Sequence, residues 1–179
     1  MTDKIMECIT NPVKCKLLLE IYAREQATAK HLSDTLDDIP QATLYRHLKK
    51  MLSDGILKVT EETPVRGTLE KTYALAFDLG SDFETILAEN SGTLYMQTFT
   101  QYFLGFAKQF REYCNSPDIN IKEDMSGFSL SHLYLSDEEL TELIKSISKV
   151  ISAAEKNAPK EGRKLRTIGV IVSPPEKSK

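Results

Sequence analysis

Residues 39–59 read IPQATLYRHLKKMLSDGILKV, and their pattern decides the N-terminal fold. Ile39 precedes Pro40, and a residue before proline avoids helical dihedrals, so a break is expected there. From Gln41 to Asp54 the apolar residues Leu44, Leu48 and Leu52, with Met51, recur at helical spacing. Gly55 then stops the helix, because a left-handed C-terminal residue is easiest for glycine. The other face of this helix holds Gln41, Ala42, Thr43, Tyr45, Arg46, Lys49 and Lys50, with three cations and no carboxylate.

Upstream, Asn11 and Pro12 predict a first helix: asparagine is a favoured N-cap, and proline at the first helical position forfeits no hydrogen bond. Val13, Leu17, Leu18 and Ile21 share one face of it. Thr28 caps a short second helix carrying Ala29, Leu32 and Leu36, which the run from Asp37 to Pro40 terminates. Downstream, Ile56–Glu61 and Leu69–Leu75 alternate with period two around Thr63-Pro-Val-Arg-Gly67. That predicts a β-hairpin with a long tip.

The second helix, its four-residue turn and the third helix have the dimensions of a helix-turn-helix. Such a motif lays its second helix in the major groove, with N-terminal residues at the base edges. Arginine reaches guanine bidentately and glutamine adenine, while lysine and tyrosine suit the backbone. The expected DNA-binding residues are therefore Gln41, Ala42, Thr43, Tyr45, Arg46, Lys49 and Lys50. Arg66 at the hairpin tip adds a contact to a flanking minor groove or to phosphate. The blander alternative is a helical hairpin with a solvated basic face.

Residues 11–76 resemble a winged helix-turn-helix of the ArsR-like bacterial and archaeal repressor superfamily. The matching residues are Ala29-Lys-His-Leu-Ser33 and the run from Ile39 to Val59; the more specific part is Thr43-Leu-Tyr-Arg-His-Leu48 followed by Asp54-Gly-Ile-Leu57. The resemblance covers less than half of the chain. It implies a homodimeric transcriptional regulator, a repressor more readily than an activator, whose third helix reads double-stranded DNA. The rest of the chain is not the single closing helix of the minimal family, so no effector carries over.

Beyond the hairpin, Asp82–Cys114 is helical in pattern with a break near Asn90-Ser-Gly92. Tyr95, Phe99, Tyr102, Phe103, Phe106, Phe110 and Tyr113 recur there at three- and four-residue steps, half of the chain's seven Tyr and seven Phe. So rich a stripe is core, a pocket for an apolar small-molecule effector, or a dimer seam; the first six residues are the expected dimer interface. The last third predicts a β-α-β unit. Phe128–Leu135 and Leu165–Val172 read as strands around a helix opened by a Ser136/Glu139 capping box, with Leu140, Leu143, Ile144, Ile147, Val150 and Ile151 as its stripe.

The expected fold is mainly α with small β. A winged helix-turn-helix occupies residues 1–79, a long helical dimerisation segment 80–125, and a C-terminal β-α-β unit with a short polar tail 126–179. With 179 residues, 41% hydrophobic and 27% charged, the composition is that of a globular protein with room for a sizeable core. A net charge of −3 does not exclude DNA, since binding depends on where the cations sit. No apolar run approaches the roughly 20 residues of a membrane span, and the start lacks a signal-peptide pattern. Three cysteines (Cys8, Cys15, Cys114) fit a reducing compartment, so a cytoplasmic location is expected.

Metal sites need clustered thiolates and imidazoles, yet His31, His47 and His132 stand apart and Cys8 and Cys15 are six residues separated. No metal or cofactor is expected. Nor is catalysis, in the absence of a phosphate loop, nucleophile elbow or paired-carboxylate motif. The function expected is a sequence-specific DNA-binding regulator acting as a homodimer. The alternative is a winged-helix protein-interaction module without DNA binding.

Overall fold

The computed structural model describes residues 1–65, 68–77 and 83–176. Its elements are α1 (Thr2–Thr10), α2 (Pro12–Arg24), β1 (Gln26–Thr28), α3 (Ala29–Thr35), α4 (Gln41–Ser53), β2 (Leu57–Val65) and β3 (Thr68–Leu75). There follow α5 (Phe83–Glu89), α6 (Gly92–Cys114), α7 (Ile121–Asp124) and α8 (Asp137–Glu155). The chain divides into two compact units, Met1–Met125 and Ser126–Lys179.

Local capping chemistry sets most helix starts. The Asn11 side chain accepts from Lys14 N at the head of α2, Thr28 from His31 N at α3, and Ser91 from Leu94 N at α6. Each satisfies an amide that the first helical turn leaves without a partner. Gly55 follows α4 at φ 72, where a side chain would be strained.

The sheet is antiparallel in the order β1-β3-β2. Gln26–Thr28 pair with Ala74–Thr72, and Leu57 to Val65 pair with Leu75 to Thr68, with a register shift between Val59 and Glu61. The hairpin strands reach further than expected: Thr63, Pro64 and Val65 are paired with Glu70, Leu69 and Thr68 rather than lying in a loop. Pro64 is tolerated because β2 is an edge strand. Arg66, the expected boundary at residues 79–80 and the expected helix start at Asp82 lie outside the described residues.

Leu17, Leu18, Ile21, Leu32, Leu44, Leu48 and Ile56 are fully buried in one core with Ile5 of α1 and Leu104 of α6. The helical segment is thus not a separate linker: α6 packs against α1 and α2. Thr100 and Leu104 are buried and Met96 packs against the core, all on one face of α6. The helix α1 and the short strand β1 were not expected from the sequence.

In the second unit, α8 begins with the expected capping box between Ser136 and Glu139. The flanking strands do not form: among the described residues, neither 126–135 nor 164–176 carries strand. Alternation reports a preference for a half-buried strand, but a strand exists only once its amides and carbonyls find a neighbour. None of the described residues of this unit is buried.

Candidate nucleic-acid interface

The turn from Leu36 to Pro40 joins α3 to α4, and the two helices pack together with α4 also resting on β2 and α2. Leu44, Leu48 and Met51 sink into the core and so fix which face of α4 is left to solvent. That face carries Gln41, Ala42, Tyr45, Arg46, Lys49 and Lys50, all exposed, with Thr43 half-buried. All seven α4 residues expected from the sequence are therefore on one helix, and none is buried.

The cations are not equivalent. Lys50 Nζ donates to Asp54 Oδ1 at 2.9 Å, and Lys4 of α1 lies 3.1 Å from the same oxygen. The hydrogen bond from Lys50, reinforced by Lys4, holds the buried Asp54 carboxyl below its ordinary range despite burial, and Asp54 in turn raises Lys50. Lys50 is thus charged but engaged within the chain, while Lys4 on the same carboxylate links α1 to the end of α4. Arg46 and Lys49 have no ion-pair partner among the described residues. His47 is pushed down by burial and by the neighbouring Arg46 charge, so it is neutral at pH 7. Of the two acids in the turn, Asp37 and Asp38, the latter is paired with Lys16 of α2.

Among the described residues, α4 starts without a side-chain cap: Pro40 precedes it and offers none. A helix N-terminus of this kind presents its first amides to an anion. Two further exposed cations, Lys30 on α3 and Lys58 on β2, sit on elements packed against α4. Sequence reasoning missed both. The first helix of such a motif crosses the DNA backbone, and that role would have flagged Lys30.

The wing is less basic than expected. Its stems carry Glu61, Glu62 and Glu70, of which Glu62 is paired with Lys71 at 3.0 Å. Thr60 ties the hairpin to β1 through a hydrogen bond to Gln26 at 3.2 Å.

The aromatic residues expected at the dimer interface lie beside the core-facing side of α6, not in it. Tyr95, Phe99, Tyr102 and Phe103 are exposed, while Phe106 and Phe110 are half-buried. Tyr102 and Phe106 meet tilted at 58°, with 5.4 Å between ring centroids. The Tyr113 hydroxyl donates to Asp124 at 2.9 Å and accepts from Asn120 N.

Among the described residues, no group of three His, Cys, Asp or Glu side chains is placed to hold a metal ion, and no helix is long and apolar enough to cross a membrane. Burial raises the Cys8 thiol to about 11, so it is a packed side chain and not a thiolate ligand.

Comparison with curated proteins gives no match. The crystal structure of the transcriptional repressor PagR of Bacillus anthracis is similar at 19% identity, covering 50% of this chain and 91% of that chain, with a TM-score of 0.32. Residues 9–60 match the model of a helix-turn-helix domain family. The match spans α2, α3 and α4 and ends in β2, the elements that build the exposed basic face. Residues 9–60 are thus similar to a helix-turn-helix domain, and the β2–β3 hairpin follows them in the chain.

Proposed function

We propose that this chain is a DNA-binding transcription regulator of the ArsR-like kind, a repressor more readily than an activator, acting in the cytoplasm as a homodimer. In this reading α4 lies in the major groove. Arg46 and Gln41 meet base edges, with Ala42 and Thr43 against them, and Tyr45 and Lys49 lie toward phosphate. The hairpin approaches the flanking minor groove or backbone through Arg66. Subunits meet through the exposed aromatic face of α6, so that face is assigned to a second copy rather than to an apolar effector. The protein is a regulator without catalytic chemistry or a metal cofactor.

The observation that carries this reading is the carboxylate-free face of α4, held by a buried opposite face on a helix-turn-helix domain. One observation favours the interaction-module alternative: the described wing stems bear three glutamates, which repel phosphate. The test is a gel shift on random duplex at low salt with wild type and Arg46→Ala. Retardation of wild type, weakened by Arg46→Ala, supports DNA binding. A protein that leaves the duplex unshifted puts the interaction module in its place.

A further inference from the structure

Among its described residues, the second unit has no core of its own. None of its described residues is buried, although 165–172 (LRTIGVIV) and 129–135 (SLSHLYL) are the most strand-like stretches of the C-terminal third. Tyr134 and Leu165 are completely exposed, and Leu130, Leu133, Ile168 and Ile171 are more than three-fifths exposed. These six residues present on the order of 1,000 Å² of surface, against roughly 800 Å² per partner in a standard protein interface. Large apolar side chains are usually covered, so this many left open in one unit call for a partner.

The backbone needs a partner as well. Among the described residues, no backbone hydrogen bond is made by 129–135 or 165–172. A layer to cover one face is already in place. Ile168 and Val170 line an open groove of about 410 Å³ with Ile147, Val150 and Ile151 of α8. What is missing is a strand edge.

We propose that a second copy of this chain supplies it. Residues 165–172 of two copies pair antiparallel across a two-fold axis, residues 129–135 join the same sheet, and the two α8 helices back it. The pairing is isologous, so each copy offers the other the same surface. Charge permits it. The two stretches contain no carboxylate, and pairing centred on Gly169, which faces its own copy on the two-fold axis, sets Arg166 opposite Val172 rather than opposite a second arginine. Like charges directly opposite would destabilise the ladder. The inference deepens the homodimer reading and rests on it, adding a second seam independent of α6.

The test uses the full chain, with hydrogen exchange of 165–172 and sedimentation measured above and below the dimer dissociation constant. The expected result is protection of these amides in the dimer, lost on dilution by roughly tenfold or more in exchange rate. Val170→Pro, which removes a ladder donor, should weaken both protection and dimerisation, whereas Val170→Thr, which keeps the donor and the β-branch, should change them little. Protection that survives dilution would mean pairing within one chain and would overturn the proposal. Free-peptide exchange at every concentration would overturn it too. If the dimer then dissociates on Phe103→Glu, the α6 seam stands without the C-terminal one.

Discussion

Glu20 of α2 and Arg111 of α6 meet across the domain, with Arg111 Nη1 3.1 Å from Glu20 Oε2. The carboxylate is almost fully buried, and its other oxygen accepts from Arg24 Nε at 2.7 Å, with His31 Nε2 of α3 at 3.7 Å. Burial pushes the Glu20 carboxyl up, but the two arginines together outweigh it and leave the group below its ordinary range. Helices α2 and α6 are thereby tied to one charge. Lys108 adds a second link from α6, donating to Ala23 O at 3.3 Å.

Removing Arg111 should loosen that tie. Arg24 still compensates Glu20 in Arg111→Ala, and Arg111 is about one-third exposed, so the expected cost is only about 1–2 kcal/mol. Urea unfolding should show a lower midpoint with an unchanged slope. An unaltered midpoint would mean that the contact does not contribute in solution.

Acid should act through Glu20, Glu7 and Asp54, whose carboxyls are all lowered in the folded state. A group with a depressed folded pKa contributes its stabilisation fully above its unfolded value, and loses it as pH falls through the folded one. For Asp54 the loss therefore begins near its ordinary 3.8 and continues below it. Melting temperatures of wild type and Asp54→Asn should differ at pH 7 and converge as pH drops beneath that value. A constant gap down to the acid limit would contradict the assignment.

The three cations of α4 should separate by kind of contact. Arg46→Ala should cost roughly 1–3 kcal/mol of DNA affinity and relax preference at one position in each half-site. Lys49→Ala should weaken all duplexes alike and flatten the salt dependence by about one unit. Lys50→Ala, whose ammonium is held by Asp54, should change the salt slope less than Lys49→Ala and thermal stability more. Titrations of operator and random duplex at several salt concentrations, beside melting curves, distinguish these outcomes. Equal salt slopes for the two lysine variants would show that Lys50 leaves Asp54 for phosphate.

The two faces of α6 should respond differently to mutation. Phe99→Glu and Phe103→Glu alter exposed positions and should dissociate the dimer while leaving the melting temperature of the subunit nearly unchanged. Leu104→Ala opens a cavity in the core and should cost about 2–5 kcal/mol of stability. Sedimentation at micromolar concentration, run with circular dichroism, checks both. A wild type sedimenting as a single subunit at every concentration would remove the basis for an α6 seam.

Features that depend on near neighbours in the chain were legible in the sequence. The caps at Asn11, Thr28 and Ser136 each join a side chain to an amide three residues on, so spacing alone reveals them. The buried stripe of α4, and with it the exposed basic face, follows from helical periodicity for the same reason. Tertiary structure decided whatever needed a distant partner. The strand β1 exists because Ala27 pairs with Tyr73, and α1 is held by Lys4 reaching Asp54; no local pattern encodes either contact. The Lys50–Asp54 spacing is visible in the sequence, but not that Asp54 is buried or that Lys4 of α1 reaches the same carboxylate. On α6, periodicity marks an apolar helix without saying which face meets the core; packing against α1 and α2 took Met96, Thr100 and Leu104 and left the aromatics outside. The C-terminal stretches show the same limit most sharply, because alternation specifies a side-chain pattern, whereas a strand also needs a second backbone that the sequence of one segment does not name.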